Sequence, residues 1–138
     1  MKRDVYSGHL KLDGEEHERT LLAANNYAAT LVYLERFEEA KSLARRILPV
    51  ARRVLRERDD TTFRIRLLYA EALYLDTGAT LDDLREAVTT LEDLEPTARR
   101  VLGKSHPLTI GIEEELRGAR GVLALRETPS ANANKITA

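Results

Sequence analysis

The sequence predicts an all-α fold, a solenoid built from stacked helical hairpins. Three observations support this prediction. Gly, Pro and aromatic residues are few, while 43% of the residues are hydrophobic and 33% are charged, as in exposed amphipathic helices. Segments of the chain recur at spacings of 42 and 47 residues, which are typical of helical repeats. Within each segment, apolar residues return every three or four positions, as on one face of a helix.

The repeat is clearest in a seven-residue segment. Pro49–Leu55 reads PVARRVL and Pro96–Leu102 reads PTARRVL, so six of seven positions agree at a spacing of 47. Upstream, YAATLVYL from Tyr27 matches YAEALYL from Tyr69 at a spacing of 42. The second unit therefore carries five extra residues, which we place in the loop-rich segment DTGATLDD at 76–83.

Each unit is expected to hold a first and a second helix joined by a turn. We predict about five helices, or two and a half repeats, over residues 18–35, 37–57, 61–77, 81–102 and 107–126. The units span about 17–58, 59–105 and 106–126. Pro49 and Pro96 lie late in the second helices, and they are expected to bend or divide them because proline removes a helical hydrogen bond.

The two ends of the chain fall outside the repeat domain at 17–126. Residues 1–16 are interpreted as an N-terminal arm or as the remnant of a preceding helix, and residues 127–138 as a disordered tail with almost no apolar side chains. The start lacks the apolar segment of a secretory signal, and no apolar run approaches the roughly 18 residues of a membrane span. With no cysteines as well, we expect a cytoplasmic protein without membrane contact.

Two stretches carry a resemblance to a known family. HERTLLAANNYAATLVYLERFEEA at 17–40 and VLGKSHPLT at 101–109 resemble tetratricopeptide repeats, specifically the 42-residue kind found in kinesin light chains. The family pattern runs roughly H-P-x-T-L, L-N-N-L-A and G-R-Y-E-E-A, and the match is strong in the first unit, fair in the second and weak in the third. The resemblance implies a right-handed superhelical solenoid whose first helices line a concave groove that binds other proteins.

The paired asparagines Asn25 and Asn26 are the main candidates for a binding surface. Asparagine is a poor interior helix residue, and Asn25 is expected to point away from the core, toward the groove, with Asn26 at the edge. Its amide suits the backbone of an extended peptide, and the resemblance implies the same role. The alternative is that Asn26 only bonds a neighbouring helix or loop. The candidate groove residues are Asn25, Asn26, Ala29, Tyr33, Arg64, Leu67 and Glu71.

A basic segment, Arg45–Arg66, is a second candidate surface. It carries eight arginines against three acidic residues, which suits an acidic partner or nucleic acid. However, no aromatic residues are interleaved to stack bases, and the net charge of the chain is -1. We favour a solvated convex face that glutamates neutralise. Stacked repeats would gather four of the candidate arginines, Arg52, Arg53, Arg99 and Arg100.

The sequence favours a non-catalytic module that binds a protein or peptide in the groove. We expect no enzyme activity, no cofactor and no metal: His17 and His106 occupy equivalent joints and are interpreted as helix caps or packing residues, and no serine has a partner arrangement for nucleophilic catalysis. The main alternative is a self-associating module, a homodimer through exposed repeat ends, because short repeat arrays leave apolar ends. A nucleic-acid or acidic-partner binder through Arg45–Arg66 is the least favoured.

Overall fold

The structure, a computed structural model, describes residues 2–14, 17–56 and 59–128. Within them the chain forms helices and no strands, which confirms the all-α prediction. None of these helices is long and apolar enough to cross a membrane. The predicted disordered tail lies outside the described residues from residue 129 onward. The helices are α1 (Lys2–Asp13), α2 (Glu18–Tyr33), α3 (Phe37–Leu55), α4 (Asp60–Tyr74), α5 (Leu81–Leu102) and α6 (Pro107–Glu127).

The helix boundaries differ from the predictions in three ways. The described part of the chain has six helices instead of about five, because Lys2–Asp13 is helical. Neither Pro49 nor Pro96 divides its helix: both lie on an exposed side, where water can bond the carbonyl that has lost its N–H partner. Helix α4 ends at Tyr74 rather than 77, since the Asp76 carboxylate accepts from the Gly78 N–H at 2.9 Å and forms a turn there.

Each helix packs on the next, and alternate helices also touch. Helix α2 contacts α3 and α4, and α4 contacts α5 and α6, so the first helices of successive units are direct neighbours. One cluster of buried apolar side chains runs from Tyr6 of α1 to Ala119 of α6 and includes residues of every helix between them. A smaller cluster around Leu31 and Ala40 joins α2, α3 and α4. The core therefore connects all the described helices.

The joints before α2, α4 and α6 repeat the same N-cap. His17, Asp59 and His106 stand at these joints in the 42- and 47-residue register. Each side chain accepts a hydrogen bond from the N–H two residues later, at 3.0, 2.8 and 3.1 Å. This satisfies one of the free N–H groups at the start of each helix. The predicted capping role of His17 and His106 is confirmed.

A buried threonine follows each of these caps, and two of the three bond a carbonyl within the preceding helix. Thr20 donates to the His9 carbonyl at 3.2 Å, and Thr109 donates to the Ala98 carbonyl at 3.4 Å. In both cases the acceptor lies 11 residues earlier in the chain. Helix α1 therefore packs on α2 in the way that the later part of α5 packs on α6. This relation is expected if α1 is the second helix of a preceding unit.

The backbone also repeats at a point three residues before each cap. Gly14, Arg56 and Gly103 have φ values of 83°, 74° and 95°, which L side chains rarely adopt. Arg56 also has a ψ of 161°, a combination that is essentially restricted to glycine. Two of the three equivalent positions carry the residue that this backbone favours, and the third is strained.

Replacing Arg56 with glycine is expected to stabilise the protein by about 1 kcal/mol. The strain at such a residue is on the order of 1–3 kcal/mol, which exceeds the roughly 0.5–1 kcal/mol of added unfolded-state entropy. Urea denaturation followed by circular dichroism measures the change. Arg53→Gly is the matched control: this exposed residue lies inside α3, so glycine there is expected to lower stability by about 1 kcal/mol. Equal destabilisation by both glycines would contradict the argument.

Candidate binding groove between α2 and α4

A cavity of about 260 Å³ lies between α2 and α4, and we call it the groove cavity. It brings together all but one of the predicted groove residues. The exception is Tyr33, whose side chain is 86% exposed at the end of α2. One lining residue was missed by the prediction, Leu68. The lining consists of Asn25, Asn26, Ala29, Arg64, Leu67, Leu68 and Glu71.

Helical spacing explains why these side chains meet. On α2 the lining positions are i, i+1 and i+4, and on α4 they are i, i+3, i+4 and i+7, so each set falls on one side of its helix. Packing of α2 against α4 places the two sides next to each other. Ala29 and Glu71 are 42 residues apart and both line the cavity, of which the small alanine side chain fills little.

The two asparagines occupy different environments. Asn26 is exposed, whereas Asn25 is only 5% exposed, so the residue expected to face an open groove is in fact buried at its wall. The Asn25 side-chain oxygen accepts no hydrogen bond from any residue that the structure describes. A buried acceptor without a donor costs about 1–3 kcal/mol, and such groups are rare in folded proteins. The position is therefore unusual for a residue with only a packing role.

Glu71 is the second unusual polar residue of the groove cavity. Burial raises the pKa of its carboxyl to about 7, and the negative charge of Glu115 on α6 raises it further. Glu115 itself accepts a hydrogen bond from the Tyr74 hydroxyl, whose pKa burial raises well above its usual range. Arg64 lies two helical turns before Glu71, about 10 Å along the axis, and its charge does not offset the shift.

The stability of the wild-type protein is expected to fall as the pH rises, and Glu71→Gln is expected to abolish this fall. Between the ordinary pKa of 4.5 and about 7, the Glu71 carboxyl is ionised in the unfolded chain and still neutral in the folded chain. The free energy of unfolding therefore falls through this window and levels off above it. Urea denaturation at several pH values should show the advantage of the glutamine variant growing from pH 4.5 to about 7. A pH-independent difference would contradict the assignment.

The four candidate arginines, Arg52, Arg53, Arg99 and Arg100, do not share one cavity. Three arginines of the basic segment do: Arg45, Arg52 and Arg66. Arg52 lines a cavity of about 550 Å³ between α3, α4 and α5, together with the Glu86 and Asp93 carboxylates. Arg99 lines another of about 310 Å³ between α5 and α6, beside Glu95, with which it forms an ion pair. The two remaining candidates, Arg53 and Arg100, are exposed. Carboxylates thus lie beside both cavity-lining arginines, which reduces their attraction for an anionic partner.

The larger cavity contains three hydrogen-bonded polar side chains, Arg45, Tyr69 and Glu86, that were not predicted from the sequence. Arg45 Nε donates to the Tyr69 hydroxyl at 3.2 Å, and its guanidinium carbon lies 5.7 Å from the centre of the tyrosine ring. The Tyr69 hydroxyl in turn donates to Glu86. These three side chains link α3, α4 and α5. Because they already hydrogen-bond one another, we interpret them as a structural contact.

A signal in the sequence points to Leu68, the missed lining residue, and to Glu115, which acts on Glu71. Asn26, Leu68 and Glu115 occupy one position of the 42- and 47-residue register, one residue on each first helix. Extending the asparagine pair along this register would have named both Leu68 and Glu115.

Comparison of the chain with protein-family models, with curated proteins and with solved structures finds no match. The residues of the groove therefore carry the functional argument.

Proposed function

We propose that this chain is a non-catalytic protein–protein interaction module that binds a peptide or partner segment in the groove cavity. The observation that carries the proposal is the buried, unpartnered oxygen of Asn25 at the wall of that cavity. After rotation of the Asn25 amide about its Cβ–Cγ bond, a donor group from a bound partner would satisfy this oxygen. Leu67 and Leu68 supply apolar surface in the same cavity, so a ligand there meets both polar and apolar contacts.

The fold that we propose for this module is a tetratricopeptide-like solenoid of the kinesin light chain type. Support comes from the packing of α2 on α4 and α4 on α6, which makes neighbours of the first helices. The recurring caps at His17, Asp59 and His106 also support it, because they place one joint before each first helix. In such an arrangement the first helices form a continuous binding face.

The size of the groove cavity favours a peptide over a small organic molecule. Its volume of about 260 Å³ is slightly below the roughly 300–1,000 Å³ of typical small-molecule pockets. A cavity of this size can accept one side chain of a longer ligand. The remaining ligand can then run across the neighbouring first helices, with main-chain contacts giving affinity and pockets giving specificity.

A peptide-display selection against the purified full chain tests the proposal. We expect enrichment of a peptide motif that wild type retains and that Ala29→Arg loses, since the larger side chain fills the groove cavity. Tyr33→Ala is the matched control: it removes an exposed side chain outside the cavity and should leave binding within about twofold. A folded wild-type chain that enriches no motif would overturn the proposal.

Self-association is the second candidate function, and one observation favours it. Several apolar side chains on α1 and α6 are exposed, with Leu12 85% and Leu125 64% accessible. Exposed apolar groups of this size are common at interfaces between protein copies. Light scattering over a range of chain concentrations distinguishes the two functions: a mass that doubles with concentration, and reverts in Leu12→Glu/Leu125→Glu, would support a homodimer. A constant monomer mass would exclude it.

A further inference from the structure

The two least exposed polar side chains of the groove cavity are both hydrogen-bond acceptors there. The Asn25 oxygen has no donor within the described residues, and neither does the Glu71 carboxyl, whose pKa is shifted by burial and by charge alone. The other polar lining residues, Asn26 and Arg64, are exposed. Asn25 and Glu71 therefore carry acceptor oxygens that receive no donor from the described residues.

The charge that acts on the Glu71 carboxyl from a neighbouring helix is also negative. Helix α6 contributes Glu115, which repels it, and exposed Glu114 stands beside Glu115 in the sequence. Helix α2 contributes only neutral side chains to the lining, and α3 and α5 contribute none. On α4 itself, Tyr74 is neutral and already donates to Glu115, while Arg64 lies about two turns away. The Glu71 end of the groove cavity is therefore electrostatically complementary to a cation.

We propose that the groove cavity takes a lysine or arginine side chain of its peptide ligand, held between the Glu71 carboxylate and the Asn25 carbonyl. This inference rests on the proposed peptide-binding function. An ammonium or guanidinium group carries donors and no acceptors, which matches the unmet requirement of both residues. Rotation of the Asn25 amide about its Cβ–Cγ bond directs the oxygen into the cavity without moving the helix backbone.

The remainder of the lining suits the aliphatic part of such a side chain. Leu67 and Leu68 give apolar surface, against which the methylene groups of lysine or arginine pack while the charged end reaches a polar partner. Ala29, in register with Glu71, leaves the space that the charged end requires. A glutamate or aspartate of the ligand that reached the Glu71 end would instead face the like-charged Glu71 carboxylate, about two helical turns from Arg64.

The experiment compares pools of short random peptides that differ only in one fixed central residue, which is lysine, arginine, leucine or glutamate. Retention of each pool on the immobilised full chain is measured at a pH of about 8, where Glu71 is ionised. We expect the lysine and arginine pools to be retained at least about fivefold better than the other two. Glu71→Gln should abolish the preference, and lowering the pH to about 6 should weaken it in wild type.

A matched variant separates the site from the net charge of the chain. Glu114→Gln removes one negative charge from α6 at a residue outside the lining, so the preference should stay within about twofold. Two results overturn the inference alone and leave the proposed function standing: equal retention of all four pools, or a lysine preference that Glu71→Gln does not change. Retention of no pool by the folded chain overturns both.

Discussion

Replacing Asn25 with leucine is expected to raise the free energy of unfolding by about 1–3 kcal/mol and to abolish binding in the groove cavity. The wild-type side chain is buried, and its oxygen accepts no hydrogen bond within the described residues, so an apolar side chain of similar size removes an unfavourable group. The same change removes an acceptor that the ligand would use. Urea denaturation measures the first effect and peptide retention measures the second.

The neighbouring asparagine provides the control for this prediction. Asn26 lines the same cavity but is exposed, so Asn26→Leu should change the free energy of unfolding by less than about 0.5 kcal/mol. Opposite behaviour of stability and binding at Asn25 would show a residue kept for function at the expense of stability. A less stable Asn25→Leu variant would instead show that the buried amide is satisfied in solution, and the functional argument from it would be lost.

Phe63→Ala is expected to lower the free energy of unfolding by about 3–5 kcal/mol, the largest effect of any substitution proposed for this chain. Phe63 is fully buried in α4 and belongs to the cluster that extends from α1 to α6. A small domain is stable by only about 5–15 kcal/mol, so the variant should be close to unfolding at room temperature. Thermal and urea denaturation by circular dichroism measure the loss.

The second phenylalanine of the chain is a natural comparison. Phe37 is only partly buried and packs against the smaller cluster around Leu31 and Ala40, so Phe37→Ala should cost clearly less. Because the main cluster connects all the described helices, wild type and both variants should unfold in one transition. Two separate transitions, with Phe63→Ala affecting one of them, would show that the units unfold independently.

The repeat register accounts for most of what the sequence predicted correctly. Helices α2 to α6 and nearly all of the groove lining follow from recurring residue types, because a helix places i, i+3 and i+4 on one side. Helix ends were less predictable, since they depend on local turn chemistry such as the Asp76–Gly78 bond. Tyr33 lies outside the groove cavity, since α2 ends at this residue and its side chain is exposed.

The burial of Asn25 could not be predicted from the sequence. Periodicity gives the direction in which a side chain points around its helix, and it predicted that Asn25 would point away from the core, toward the groove. How deeply that direction is buried depends on how closely α4 packs against α2, which no single-helix pattern contains. The raised pKa of Glu71 has the same origin, since it comes first from burial between packed helices and then from Glu115, more than 40 residues later in the chain.

The joints before α2, α4 and α6 share two features among their described residues. Each has a residue with positive φ and, three positions later, a side-chain cap on the helix that follows. A duplicated copy of residues 59–105 would meet, on either side, the joint that this segment has now. Gene duplication can therefore lengthen such a protein by whole units. Each added unit would extend the surface available to a ligand and would need no new type of connection between helices.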